Sequence, residues 1–546
     1  MTYDQLPLLI SSAGWESLFA LQERKAIEAL LPTYLYQQRW FGAKARQITA
    51  ATIADLIPIV YADRSAYLLL IEVGYSEGQS DRYALLLAHA SEDELSELQP
   101  IRSNALLARV QSSTGLGVLF DGLLDQRFSA ALLSFIETER SFQGERGSLR
   151  ISQSTAFWQL RGRDQQPLPA KVGTAEQSNT SLIYADRLIM KLFRRIEAGI
   201  NPELEIGRFL TKQGQFSQMS HLAAGIEYHA PGEQPASLAV MQAFVPNRGD
   251  AWSYTISEIV AAFERAKSLK QPSRPAQSLL ELAVQPLPEQ AKLLLGPYQR
   301  AAARLGELTA QFHRALASDP NEPDFAPEAM DEQVRQRLDR ELSERALRTF
   351  QTLQARIESL PVTLQADAQR ILQAQDRLLG RIHTTLAQPC SALRIRVHGD
   401  YHLGQVLYTG NDFVIIDFEG EPARSLQERR RKSSPLQDVA GMLRSFHYAP
   451  YAVLMGQAPR VSYSSVELAQ LEPWAARWHA WVSGTFLSSY LKTMHGSQLV
   501  PTQVSELQGL LDLYILDKAL YELLYELNNR PTWVRIPLEG LLQLGI

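Results

Sequence analysis

The stretch RVHGDYHLGQVLYTGNDFVIIDFEGEP, Arg396 to Pro422, interrupts a long helical region with a pattern that cannot be helical. "VLY" and "FVIID" flank "TGND", a turn signal, so the spacing predicts a β-hairpin. Asp400 precedes the first strand in a Gly-containing loop, and Asp417 ends the second. A hairpin brings its two ends together, so Asp400, Gln405 and Asp417 are expected to converge. Acids at the ends of apolar strands are costly unless something offsets their charge. Two carboxylates and an amide oxygen are hard ligands of the kind Mg²⁺ prefers.

The rest of the chain sorts around this hairpin. Strand-like alternation dominates up to about residue 245, and helical periodicity follows, as in Leu305, Leu308, Phe312 and Leu316 of "RLGELTAQFHRAL". The order predicts an α+β protein with a small sheet-rich lobe, a larger helical lobe and a cleft between them. The expected divisions are a cap at 1–95, an intermediate and nucleotide-binding lobe at 96–245, and a helical lobe at 246–546. Within 104–137 we expect one short strand between helical pieces. The net charge of -5 gives no reason to expect nucleic acid as a partner. The single cysteine, Cys390, excludes an intramolecular disulfide and suits a reducing, cytoplasmic setting. The N-terminus lacks the pattern of a signal peptide, and no apolar run reaches the ~20 residues of a membrane helix.

The hairpin carries a particular spacing. Gln405 follows Asp400 by five residues, and the second acid lies in Asp417-Phe418-Glu419-Gly420. A protein-kinase catalytic loop has an Asp, an amide five residues on, and a second Asp in D-F-G. Here Asp400 would accept or orient the substrate hydroxyl proton, while Gln405 and Asp417 would hold Mg²⁺ against ATP phosphates. His398 and His402, four apart, could imitate a zinc pair, but Gly399 argues against the helix such a pair needs. His398 reads instead as a structural hydrogen-bonding group. "ERRRK" (428–432) reads as a solvated segment near the site rather than a nucleic-acid patch.

Such a site needs further parts upstream. Lys191 in "LIMKLF" is a lone cation in an apolar strand, suited to nucleotide phosphates. Asn201-Pro202-Glu203 starts a helix. Glu205 on that helix is expected to pair with Lys191, because Glu203 already suits the positive helix end. "EQSNTS" (176–181) offers Ser178, Asn179, Thr180 and Ser181 as small polar groups for phosphate oxygens. "MQAFVPN" (241–247), with Gln242 and Phe244, is placed to link the lobes and hold adenine through backbone groups.

Together "EQSNTS", "KLFRRIEAGINPELE", "HGDYHLGQVL", "DFEGEP", "SPLQDVAGMLRSF" and "DKALYELLYELNNRPTW" resemble bacterial maltokinase, and "QRWFGAKAR" resembles that family's N-terminal cap. The resemblance spans about 35 to 540, with extra residues near 265–300 and 330–385. It implies an aminoglycoside-phosphotransferase-like, bilobal protein-kinase-like fold with an N-terminal α/β cap and a mainly helical C-terminal lobe. It also implies phosphorylation of the anomeric hydroxyl of maltose by ATP and Mg²⁺, feeding α-glucan (glycogen) synthesis, with trehalose synthase as supplier and partner. Gln405 matches the family, and Asp438 resembles an acid that braces the catalytic loop. Lys518, Tyr521, Tyr525 and Glu526 share a helical face by spacing and resemble the family's sugar site. Two other readings stand: a kinase for glucosamine or an aminoglycoside, and an inactive partner of trehalose synthase. The intact Asp400, Gln405, Asp417 and Lys191 set argues against the second.

Overall fold

The computed structural model describes residues 3–96, 103–164, 166–173, 179–270, 278–459 and 461–544. They form two compact units: Met1–Gly214 with Ser220–Pro246, and Gln215–Met219 with Asn247–Ile546. No described helix is long and apolar enough to cross a membrane.

The first unit contains two seven-stranded sheets. Three long antiparallel strands, Ile48–Tyr61, Arg64–Tyr75 and Ser80–Ser91, form the centre of the cap sheet. Alternation explains how this sheet is covered on both faces. Leu69, Ile71, Leu85 and Leu87 pack on one side with Ile27, Leu31 and Leu35 of the helix Arg24–Gln37. Leu68, Leu70 and Leu86 point the other way, into a core shared with Phe128, Leu132 and Ile136.

The cap sheet continues past the boundary expected at 95. Leu106–Ser112 and Gly115–Asp121 are two of its strands, joined by a tight turn at Ser113-Thr114. The single short strand expected there is therefore a hairpin, and its helix begins only at Gln126. The two strands are too short for their alternation to stand out from the helical pattern that follows.

The second sheet carries Lys191. Asn179–Tyr184 and Leu188–Phe193 pair antiparallel around a three-residue loop, Ala185 to Arg187, in which Ala185 and Asp186 are both at positive φ. The helix Pro202–Gln213 starts as its sequence predicts: the Asn201 side chain accepts from the Glu203 N–H at 2.9 Å.

In the second unit Leu305, Leu308, Phe312 and Leu316 all lie buried on the helix Tyr298–Leu316. Residues 330–385 form the helices Glu332–Arg356, Val362–Gln373 and Gln375–Ala387. The first of these packs on the helix Val504–Asn529: Arg345 pairs with Asp517, and Thr349 donates to the Leu520 carbonyl at 3.4 Å.

Candidate active site

The predicted hairpin is present. Val406–Tyr408 pairs antiparallel with Phe413–Ile415, and Thr409 to Asp412 make the turn. The Ile416 N–H donates to the Gln405 carbonyl at 3.0 Å, extending the ladder toward Asp417. Gln405 and Asp417 thus stand at the open end of one hairpin. Asp417 has φ +66°, a left-handed conformation uncommon outside glycine. Such conformations concentrate at functional sites, where surrounding structure holds them. Phe418 beside it is buried and stacks on Phe312, with ring centroids 5.5 Å apart.

The loop before the hairpin is fixed from below. Asp438, 1% exposed, accepts from the His398 N–H at 2.8 Å and the Gly399 N–H at 3.0 Å. Its Oδ2 also lies 3.1 Å from His313 Nε2. Gly399 has φ +81°, which L side chains rarely adopt, so the turn that presents Asp400 needs glycine here. Gly441 lets the helix Leu436–Leu454 approach: a Cβ there would meet the Tyr401 carbonyl at 2.5 Å. His398 donates from Nε2 to the Ile416 carbonyl at 3.0 Å, tying loop to hairpin. His402 is used differently: its Nδ1 accepts from the Gly404 N–H at 3.0 Å. The two histidines thus hold separate backbone groups and form no ligand pair.

Asp400 is 17% exposed at its side chain, with Lys518 Nζ at 3.5 Å and His402 Nε2 at 3.8 Å. Burial pushes its carboxyl up. The facing His402, Lys518 and His398 outweigh burial and hold it well below the usual carboxylate range. Lys518 also reaches Glu421 at 3.3 Å, and Tyr521 donates to Glu421 at 2.5 Å. Burial pulls the Lys518 ammonium down, but Glu421, Asp400 and Glu522 raise it, so it stays charged at neutral pH. Burial and then Glu421 raise the Tyr521 phenol, which stays neutral and donates.

Asp400 has a depressed folded pKa, so its contribution to stability is present above the unfolded value of about 3.9 and lost below it. For activity, Asp400 stays ionised through the ordinary carboxylate range. The acid limb of kcat/KM is therefore expected to show no inflection near pH 4 to 5 attributable to Asp400. A pH–rate profile checks this. An acid limb near pH 4.5 that disappears in Asp400→Asn would contradict it.

Lys518, Tyr521 and Tyr525 lie along one face of the helix Val504–Asn529; the two tyrosine rings stack at 6.5 Å, and Tyr525 is exposed. Glu526 is not brought to Asp400. It is 1% exposed and holds Arg530, at 2.6 and 2.9 Å, and the Tyr448 hydroxyl at 3.3 Å. At eight residues from Lys518 it has rotated round to the neighbouring helix. The acid that holds Lys518 and Tyr521 is instead Glu421, which the sequence reading did not single out.

In the first unit, Ser181 sits directly opposite Lys191 and shares its sheet face, while Thr180 faces the other way. The Thr180 hydroxyl accepts from Arg194 at 2.9 Å, and Arg194 is paired with Asp121, so Thr180 is turned toward the cap sheet. Asn179 begins the strand, and Ser178 lies outside the described residues. Glu203, assigned above to the helix end, is the buried acid of its helix and accepts from the Gln242 amide at 2.7 Å. Glu205 is only partly buried. The Phe244 N–H donates to the Arg187 carbonyl at 2.8 Å, so that backbone donor is already used.

An acid before a hairpin, an amide five residues on and a second acid at its end belong to phosphoryl-transfer chemistry. Residues 282–451, which contain all three, match the phosphotransferase enzyme family. The chain is an ATP-dependent small-molecule kinase with a kinase-like α+β fold. More narrowly, residues 34–125 match the maltokinase N-terminal cap domain, so the chain joins a maltokinase-type cap to an aminoglycoside-phosphotransferase-like catalytic region.

Its curated relatives include two glucosamine kinases. That of Streptacidiphilus jiangxiensis is 25% identical over 369 residues, 66% of this chain and 70% of the relative. That of Mycolicibacterium smegmatis is 24% identical over 370 residues, 67% and 76% respectively. A glucosamine kinase crystal structure shares the fold, with a TM-score of 0.59 at 18% identity, covering 92% of this chain and 95% of that one. ATP with Mg²⁺ is the cofactor pair of this class, and the oxygen donors of Gln405 and Asp417 suit that hard cation.

Proposed function

We propose that this chain transfers the γ-phosphoryl group of ATP to the anomeric hydroxyl of maltose, giving α-maltose 1-phosphate and ADP. The sugar oxygen forms a bond to phosphorus as the bond to the β,γ-bridging oxygen breaks, and the hydroxyl proton passes to Asp400. Gln405 and Asp417 hold Mg²⁺, and Lys191 holds the nucleotide phosphates. Glu203 rather than Glu205 is the acid for Lys191, supported by its burial beside Gln242. Asn179 and Ser181 are the phosphate-loop groups retained, and the backbone of Gln242 to Phe244 borders adenine. Lys518, Tyr521 and Tyr525 receive the sugar, with Glu421 setting the first two. Maltose would come from trehalose synthase, and the product would serve α-glucan synthesis.

The observation that carries the neutral acceptor is the pairing of the acids near Asp400. Glu421 is matched by Lys518 and Tyr521, Asp517 by Arg345, and Asp438 by two backbone N–H groups. Among the described residues lining the Asp400 pocket, each carboxylate besides Asp400 is so matched, which disfavours the ammonium of an amino sugar, while the aromatic face of Tyr521 and Tyr525 suits a sugar ring. The maltokinase-type cap supports the same reading. Glucosamine is the second reading, favoured by the curated relatives.

Coupled ADP release with purified protein, ATP and Mg²⁺ tests the two against maltose, glucose, glucosamine and an aminoglycoside. Maltose is expected to give the highest kcat/KM. Turnover of glucosamine without turnover of maltose would overturn the proposal.

A further inference from the structure

Next to the Asp400 pocket lies a second cavity of about 240 Å³, lined wholly by the second unit. The two spaces share Arg345, Gly399, Glu421, Arg424, Gln437 and Tyr514 as walls. The far wall is the helix Glu332–Arg356. Eight cationic side chains and four carboxylates line the cavity. A concave site with that excess draws anions and concentrates them.

Pairing separates seven of the eight cations into two groups. Arg431 and Arg337 share Glu341 at 2.8 and 4.0 Å, Lys432 and Arg394 share Glu328 at 2.7 and 2.9 Å, and Asp517 holds Arg345. Among the described residues Arg348 makes no ion pair, and Arg424 makes none either, although the Glu428 carboxylate lies within its electrostatic reach. A guanidinium without a carboxylate offers forked N–H groups that match phosphate oxygens. Val334, Leu338 and Tyr514 give the same cavity an apolar side on which a sugar ring can lie.

We propose that this cavity is an oxyanion site for the phosphate of a phosphorylated carbohydrate, and that its occupant competes with the sugar acceptor across their shared wall. The competition rests on the reading of Asp400 as the acceptor position; the binding does not. The helix Glu332–Arg356 thereby gains a role as the wall that carries Arg348.

Glucose 1-phosphate titrated calorimetrically into the full chain without nucleotide tests the site, with glucose and inorganic phosphate as separate arms. Glucose 1-phosphate is expected to bind, more weakly as salt is added, and glucose is not. Arg348→Ala should weaken that binding about fivefold to tenfold. It should leave uninhibited phosphoryl transfer unchanged, because Arg348 is exposed on the far wall. Inorganic phosphate binding as tightly as glucose 1-phosphate would support the oxyanion site and overturn its carbohydrate part. Equal binding by wild type and Arg348→Ala, or by glucose and glucose 1-phosphate, would overturn the whole. In kinetics, glucose 1-phosphate should raise the acceptor KM without lowering kcat, and less so in Arg348→Ala. A fall in kcat alone would overturn the shared-wall competition. The binding arms contain neither ATP nor acceptor, so a wrong acceptor assignment leaves them unaffected.

Discussion

Asp400→Asn is expected to lower kcat for sugar phosphorylation by about 10²- to 10⁴-fold, with nucleotide affinity unchanged. The amide keeps the shape of the side chain and removes the proton acceptor. Lys518 loses one of its two anions but keeps Glu421 at 3.3 Å, so its charge is still matched and the pocket stays folded. Tyr521 also stays on Glu421, so the acceptor-facing groups keep their places. The loss should therefore fall on kcat, with the acceptor KM nearly unchanged, the signature of an interaction made in the transition state. Steady-state kinetics and titration with ADP and Mg²⁺ separate the two effects. Loss of nucleotide binding in a folded Asp400→Asn protein would contradict the role given to Asp400. A full kcat would remove Asp400 from the chemistry.

The parts of this arrangement that were legible in the sequence are those set by local chemistry. The TGND turn and the runs beside it specify the hairpin, and five residues separate Asp400 from Gln405 whatever the rest of the chain does. Asn201 caps its helix because its side chain reaches an N–H two residues away. Thr180 could have been placed as well, since strand alternation alone sets it on the face opposite Ser181. The burial of Glu203 was not legible, because helix-end electrostatics account for an acid in the first turn without saying which way it faces. It is buried against Gln242, whose place 39 residues on is decided by sheet pairing. Glu421 was invisible for a related reason. It lies in a loop without periodicity, and its partners Lys518 and Tyr521 are about a hundred residues away. Glu526 failed in the opposite direction. Its spacing put it near the sugar face, but Arg530 and Tyr448 supply a better-matched position for its carboxylate.

The second large effect belongs to a residue that touches no substrate. Asp438→Ala is expected to destabilise the second unit by about 3–5 kcal/mol and to lower activity with it. Its carboxylate accepts from two consecutive backbone N–H groups, of buried His398 and half-buried Gly399, and faces buried His313. Alanine would strand those donors, and each buried orphan costs about 1–3 kcal/mol. The same bonds hold Gly399 at its positive φ, and Gly399 carries the chain into Asp400. Loosening them should widen the range of positions open to the Asp400 carboxylate, and small displacements of a catalytic group are expensive in rate. Asp438→Asn separates stability from positioning. Its one acceptor oxygen can keep a single backbone bond, so its thermal midpoint should lie between those of wild type and Asp438→Ala. Its kcat should fall further than its acceptor KM rises. Thermal unfolding and steady-state kinetics on the three proteins read both effects. An Asp438→Ala protein with unchanged midpoint and kcat would show that His398 and Gly399 are held by other means. A lowered midpoint with kcat intact below it would leave Asp438 a stabilising residue with no part in placing Asp400.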